Sequence, residues 1–130
     1  MAKLGEYGDR LKDMSAQEVF DVVCDHLLTQ NERSEIDDGN GTTCLYNGDG
    51  MCCAAAPFIK KYDPTMENAN WESVVGQGFA DVNHLDLIEA LQNVHDRSDV
   101  NEWYDGLNKL AKIHNLKFNP PDCAILKGSV

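Results

Sequence analysis

Between Asn83 and Ile113 the apolar residues fall twice into helical spacing, and no other stretch limits the fold as strongly. Leu85, Leu87, Ile88, Leu91 and Val94 make one stripe, and Trp103, Leu107, Leu110 and Ile113 make a second. Two amphipathic helices follow, each with an apolar side that must be covered by something else. Asn83 is placed to cap the first, with Asp86 in its first turn. Asp99 with Glu102 three residues on predicts a capping box for the second, Asn115 suits its C-cap, and Pro120-Pro121 prevent continuation. Ser15 and Glu18 form another box, opening a helix to about Leu28 whose apolar side is Val19, Val22, Val23 and Leu27, with Phe20 and Cys24 alongside. Pro64 favours a turn or the first turn of a short helical segment, and 71–75 a short helix stopped near Gly76 and Gly78. Trp71, Phe79 and Trp103 are core residues or part of a dimerisation stripe.

The middle of the chain has a different character. Residues 31–43 are polar and Gly-rich and read as a loop. Asn47-Gly48-Asp49-Gly50 then collects four residues that accept positive φ, which predicts a hairpin turn. With the turn on those four, Tyr46 faces Met51, Leu45 faces Cys52 and Cys44 faces Cys53. Cys44 and Cys53 are then close enough to be bridged, to share a metal, or to pack as free thiols. The spacing of eight residues between them does not match a zinc knuckle, and no second Cys or His pair completes one. Five cysteines is an odd number, the first residues lack the apolar core of a signal peptide, and no run is long enough to span a membrane. A reduced, cytoplasmic chain with free thiols is therefore expected, with no metal and no cofactor. The fold class that follows is α+β: a single, mostly helical domain over 1–130, with about four helices and one short β-hairpin. A chain of 130 residues can bury a core without disulfides or metal.

The residues C-x-Y from Cys44, a Gly-bearing turn, C-A at Cys53, and Y-D-P-x-M-E from Tyr62 form one pattern. It continues with H-L-x-L-I-x-x-L-Q-x-x-H-D from His84, then Trp103, and A-x-x-H-x-L from Ala111. This pattern resembles a family of small uncharacterised bacterial and phage-encoded proteins, over Cys44 to Leu116. Relatives in that family read C-A-Y-R, K-C-A-x-G and I-P-D where this chain has Leu45, Asn47, Ala55 and Lys60. The resemblance implies a bacterial, prophage or phage setting and no mechanism.

Charge narrows the choice of partner. Twenty-two acidic residues against 11 basic ones give −11, which argues against direct contact with nucleic acid or an anionic membrane. Residues 80–105 alone hold seven acids against Arg97. Acids that open helices complement the helix dipole, and solubility accounts for others. The functional alternative is an acidic face, Asp81, Asp86, Glu89, Asp99 and Glu102, that docks on a basic protein surface, with possible mimicry of nucleic acid. A small non-catalytic accessory or inhibitor protein is the preferred reading.

The alternative is a small enzyme. His84 and His95 share a helix stripe, but eleven residues at about 1.5 Å each keep them roughly 16 Å apart, too far to hold one metal. Either could pair with a hairpin cysteine, which makes Cys44, Cys53, His84 and His95 the catalytic candidates, with the cysteine as nucleophile and the histidine as base. Asp96 adjoins His95 and is expected to point away from it. Asp63 and Glu67 could serve acid–base chemistry if buried together. No phosphate loop, dinucleotide fingerprint, nucleophile elbow or H-E-x-x-H is present.

Overall fold

The computed structural model describes residues 3–30, 35–37, 42–44, 47–48, 51–67, 69–97 and 99–121. Four α-helices carry these parts: α1 (Ala16–Gln30), α2 (Trp71–Gly76), α3 (Leu85–Arg97) and α4 (Trp103–Ile113). Each begins or ends for a local reason. At α1 the expected box is closed in both directions: Ser15 N–H donates to Glu18 Oε1 (3.0 Å) and Glu18 N–H to Ser15 Oγ (3.1 Å). At α2, Asn70 Oδ1 accepts from Ser73 N–H at 2.8 Å. Pro64–Met66 forms the expected helical turn, with Asp63 accepting from Thr65 N–H at 2.9 Å.

The residue at the head of α3 is His84 rather than Asn83. Its carbonyl accepts from Ile88 N–H (2.9 Å), and its backbone is left-handed at φ 59°. Non-glycine residues seldom adopt that conformation, histidine more readily than most. Asp99 makes no side-chain cap; a 3-10 turn, Val100–Glu102, leads into α4 instead. At the far end Asn115 takes φ 57°, and Leu116 N–H reaches back to the Ala111 carbonyl at 2.7 Å, the bond that closes a left-handed helix terminus. Ala111, 1% exposed, completes the inward arc of α4, and Ile113, expected inside, is 80% exposed.

Helices α1, α3 and α4 each pack against the other two, and α2 packs on α3. Their facing sides bury Phe20, Val23, Leu27, Ile88, Leu91, Trp103 and Leu107 completely. Burying a large apolar side chain contributes roughly 1.5–3 kcal/mol, so this interface is the main source of stability. Trp71 and Trp103 belong to it and not to an exposed stripe. The segment 53–59 fills the remaining space as an apolar cord, with Cys53, Ala54, Ala55, Ala56, Phe58 and Ile59 all buried. Residues 3–14 lie along this cord: Gly5 N–H donates to the Ala56 carbonyl and Tyr7 N–H to the Pro57 carbonyl. After α4 the chain returns to α1, where the Gln17 amide and the Lys117 backbone exchange two hydrogen bonds of 2.9 Å.

The expectation of an α+β domain is overturned. Among the described residues the fold is all-α, because helices, helical turns and the cord supply nearly the whole core. In the middle of the chain, among the described residues, backbone pairing takes the form of two minimal ladders: Glu35–Asp37 against Thr42–Cys44, and Asn47–Gly48 against Met51–Cys52. At three and two residues they fall short of a sheet layer. Their register also differs from expectation. Cys44 pairs with Glu35 and not with Cys53, Cys52 pairs with Asn47, and Met51 with Gly48. Two positions, Asp49 and Gly50, separate the paired residues Gly48 and Met51. Part of the stretch read as a loop therefore pairs with itself. The expected positions of Leu45 and Tyr46 lie outside the described residues.

Candidate functional site

Of the four catalytic candidates, the structure draws two into one neighbourhood. Cys53 opens the apolar cord; Gln92 and Asp96, in the last turns of α3, act on its thiol, and His95 joins them through Asp96. Gln92 is the hub. Its Oε1 accepts from Ala55 N–H at 3.0 Å, and its Nε2 donates to Asp96 Oδ1 at 3.0 Å. The same Asp96 oxygen accepts from His95 Nδ1 at 2.7 Å. The ring of His95 stacks on the indole of Trp103, centroids 5.5 Å apart and 27° between planes.

Asp96 therefore does orient His95, against expectation. Adjacent helix positions differ by about 100°, but Nδ1 and Oδ1 are each two bonds beyond Cβ and can turn toward one another across that angle. Gln92 stands in the L-Q-x-x-H-D stretch with no role predicted for it, although its spacing of four from Asp96 is a known helix pairing distance.

This network is a polar joint whose thiol and imidazole are buried while the Asp96 carboxylate reaches the surface. Cys53 and His95 have no exposed surface. Burial drives the Cys53 thiol well above its ordinary value. The Ala55 and Ala56 backbone N–H groups and the Gln92 side chain oppose that shift but do not cancel it. A protonated thiol is a poor nucleophile, and a reactive cysteine needs an accessible, electropositive setting. Cys24, in α1, is likewise buried and raised by burial, with Asp21 and Asp25 adding to the effect. Both behave as small apolar residues.

The other candidates are placed elsewhere. His84 Nε2 donates to the Met14 carbonyl at 2.7 Å, which fastens the start of α3 to the N-terminal segment. A carbonyl can only accept, so this histidine carries a proton on Nε2. The side chain of Cys44 lies outside the described residues. Asp63 and Glu67 have separate tasks: Asp63 caps its turn, and Glu67 accepts from the Tyr62 hydroxyl. Burial first, then that hydrogen bond, pushes the Tyr62 phenol up to about 12. Among the described residues, no three His, Cys, Asp or Glu side chains converge as metal ligands.

The acidic candidates divide in two. Asp86 is exposed and Glu89 half-buried in the first turns of α3, with Asp81 just before it, 3.3 Å from Lys60 Nζ. Asp99 and Glu102 are exposed beyond the other end of the helix. Thirteen residues of α3 at about 1.5 Å each set these groups roughly 20 Å apart. Charges separated by more than about 8 Å are largely screened at physiological salt, so the two groups would meet a partner as separate charges at the two ends of α3. A third acidic surface was missed. Glu18, Asp21 and Asp25 stand on the outer side of α1 at i, i+3 and i+7, a spacing legible in the sequence.

No helix among the described residues is long and apolar enough to cross a membrane. A scan of protein-family models and searches of curated proteins and of solved structures returned no match to this chain.

Proposed function

We propose that this chain is a small, acidic, non-catalytic binding protein that docks on a basic surface of another protein and acts as an accessory factor or inhibitor. The observation that carries this reading is a division of labour by depth. The thiol and imidazole capable of catalysis are sealed at 0% exposure, while carboxylates occupy the outer positions of α1, α3 and the approach to α4. A net charge of −11 supports fast, charge-steered association with a basic partner, one that ordinarily binds nucleic acid included. The setting that goes with this reading is the cytoplasm of a bacterium, or of one infected by a phage.

The test is affinity capture from bacterial lysate by the tagged chain, washed at about 0.15 M and about 0.5 M salt, a range over which surface charge pairing is screened. One basic protein is expected to remain at the lower salt and leave at the higher. A chain with the acids of all three surfaces reversed, Asp21, Asp25, Asp86, Glu89, Asp99 and Glu102 to lysine, should not retain it, and Cys53→Ser should. Retention by the charge-reversed chain, or its loss with Cys53→Ser in a chain that still folds, would remove the basis of the proposal.

A further inference from the structure

Between residues 7–14 and the outer side of α1 lies an open cavity of about 420 Å³, lined by Tyr7, Arg10, Asp13, Met14, Glu18, Asp21 and Val22. Its volume is within the range of sites that hold small ligands or anchor side chains. The lining has two parts. Tyr7, Met14 and Val22, all half-buried, give an apolar floor. Asp13, Glu18 and Asp21 stand around it as three carboxylates against one guanidinium, a formal charge of −2. That guanidinium, Arg10, lies over the Tyr7 ring at 4.4 Å from its centroid.

The walls are held without a ligand. Tyr7 N–H is bonded to the Pro57 carbonyl at 2.8 Å, Leu11 is buried beneath, and the Met14 carbonyl takes the bond from His84. Glu18 Oε1 and Asp21 Oδ1 are engaged by Ser15 N–H and Gln17 Nε2, which fixes both carboxylates while each keeps a second oxygen. A site already in its bound shape loses little entropy on binding.

We infer that this cavity anchors a basic, partly apolar segment of a protein partner. An arginine or lysine would be set among Asp13, Glu18 and Asp21, and a neighbouring apolar side chain on Met14 and Val22. The inference rests on the docking function proposed above and moves its centre from α3 to α1. Charge decides the occupant. An anionic ligand would meet three carboxylates, and a neutral one would cover them with nothing in exchange, at a desolvation cost. A cation with an apolar neighbour matches both parts of the lining.

The test is an amide NMR titration of the ¹⁵N-labelled full-length chain with a short peptide alternating arginine and leucine. A second peptide carries citrulline, the neutral isostere, for arginine. Saturable shifts centred on Tyr7, Met14 and Val22 are expected. The citrulline peptide should bind about tenfold more weakly, as should a chain carrying Asp13→Asn and Asp21→Asn, since exposed charge pairs are each worth up to roughly 1 kcal/mol. Asp13→Asn alone, which leaves the Gln17 bond to Asp21 intact, should weaken binding by a smaller factor. Asp86→Asn with Glu89→Asn should leave it unchanged. Shifts centred on α3 and lost with Asp86→Asn and Glu89→Asn would overturn the cavity while leaving the docking function standing. No binding, equal binding of the citrulline peptide, or argininamide binding as tightly as the whole peptide would overturn the cavity as a peptide anchor. Failure of the docking function itself is read separately, in the salt-dependent capture.

Discussion

At the scale of single residues, the groups with the most chemistry are used to join parts of the fold. Cys53 is a buried thiol held protonated, so it should resist iodoacetamide in the native chain and react only on unfolding. Peptide mapping after native alkylation checks this, and rapid modification of Cys53 without loss of helical signal would restore a nucleophilic role. His84 combines a left-handed backbone with a bond to the Met14 carbonyl. His84→Ala keeps the unfavourable φ and leaves a carbonyl without its donor, so it should cost about 1–3 kcal/mol. His84→Gly also loses the bond but accepts the φ, and should cost less than alanine. Urea titration of both variants decides between these; equal losses would mean that the backbone conformation carries no strain.

At the scale of elements, boundaries follow capping chemistry wherever the cap is local. The Ser15 N–H, and after it the Ser15 hydroxyl, hold the Glu18 carboxyl below its ordinary value. A group depressed in the folded state stabilises above its unfolded pKa of about 4.5. That stabilisation is lost as pH falls through the lower folded value. Glu18→Gln preserves an acceptor for the box but cannot titrate. It should be less stable than the parent chain at neutral pH, converge with it below the folded value, and so show a shallower acid limb in a stability-against-pH curve.

Two glycines show how closely elements approach. A Cβ on Gly8 would meet the Ile59 carbonyl oxygen at 2.4 Å and its carbon at 2.8 Å, contacts that backbone cannot relieve. Gly8→Ala should therefore destabilise by about 1–3 kcal/mol and loosen the N-terminal segment from the cord. In α4, a Cβ on Gly106 would touch only Val94, at an ordinary 3.5 Å. Gly106→Ala should stabilise by about 0.5–1 kcal/mol, because glycine in a helix interior gives up backbone freedom that alanine does not. Thermal unfolding of the two variants should move the midpoint in opposite directions.

For the whole molecule, charge is the dominant property. An excess of 11 negative charges repels itself in the compact state more than in the expanded one. Adding salt from about 0.02 M to about 0.2 M, which shortens the screening length several-fold, should raise the unfolding temperature. Calorimetry across that range is the check, and an unchanged or falling midpoint would show that favourable ion pairs outweigh the repulsion. Among the described residues, acids gather on α1, at the start of α3 and on the approach to α4, so the surface offers several patches to a partner.

The sequence by itself determined the helices, because their causes are local. Apolar spacing, the Ser15–Glu18 box, Pro64 and the Asn115 terminus each act within a few residues. Net charge was equally legible, being a sum over composition. Tertiary structure decided the rest. The hairpin register, and the absence of a β layer among the described residues, depended on which backbone partners were nearest, and apolar alternation over two or three residues carries too little information to choose between them. The head of α3 passed from Asn83 to His84 because the imidazole found the Met14 carbonyl, 70 residues away along the chain. Gln92 became a hub only once the cord brought Ala55 N–H within reach. The cavity exists because residues 7–14 are fastened to the cord and set against α1, a meeting of segments that no local pattern encodes.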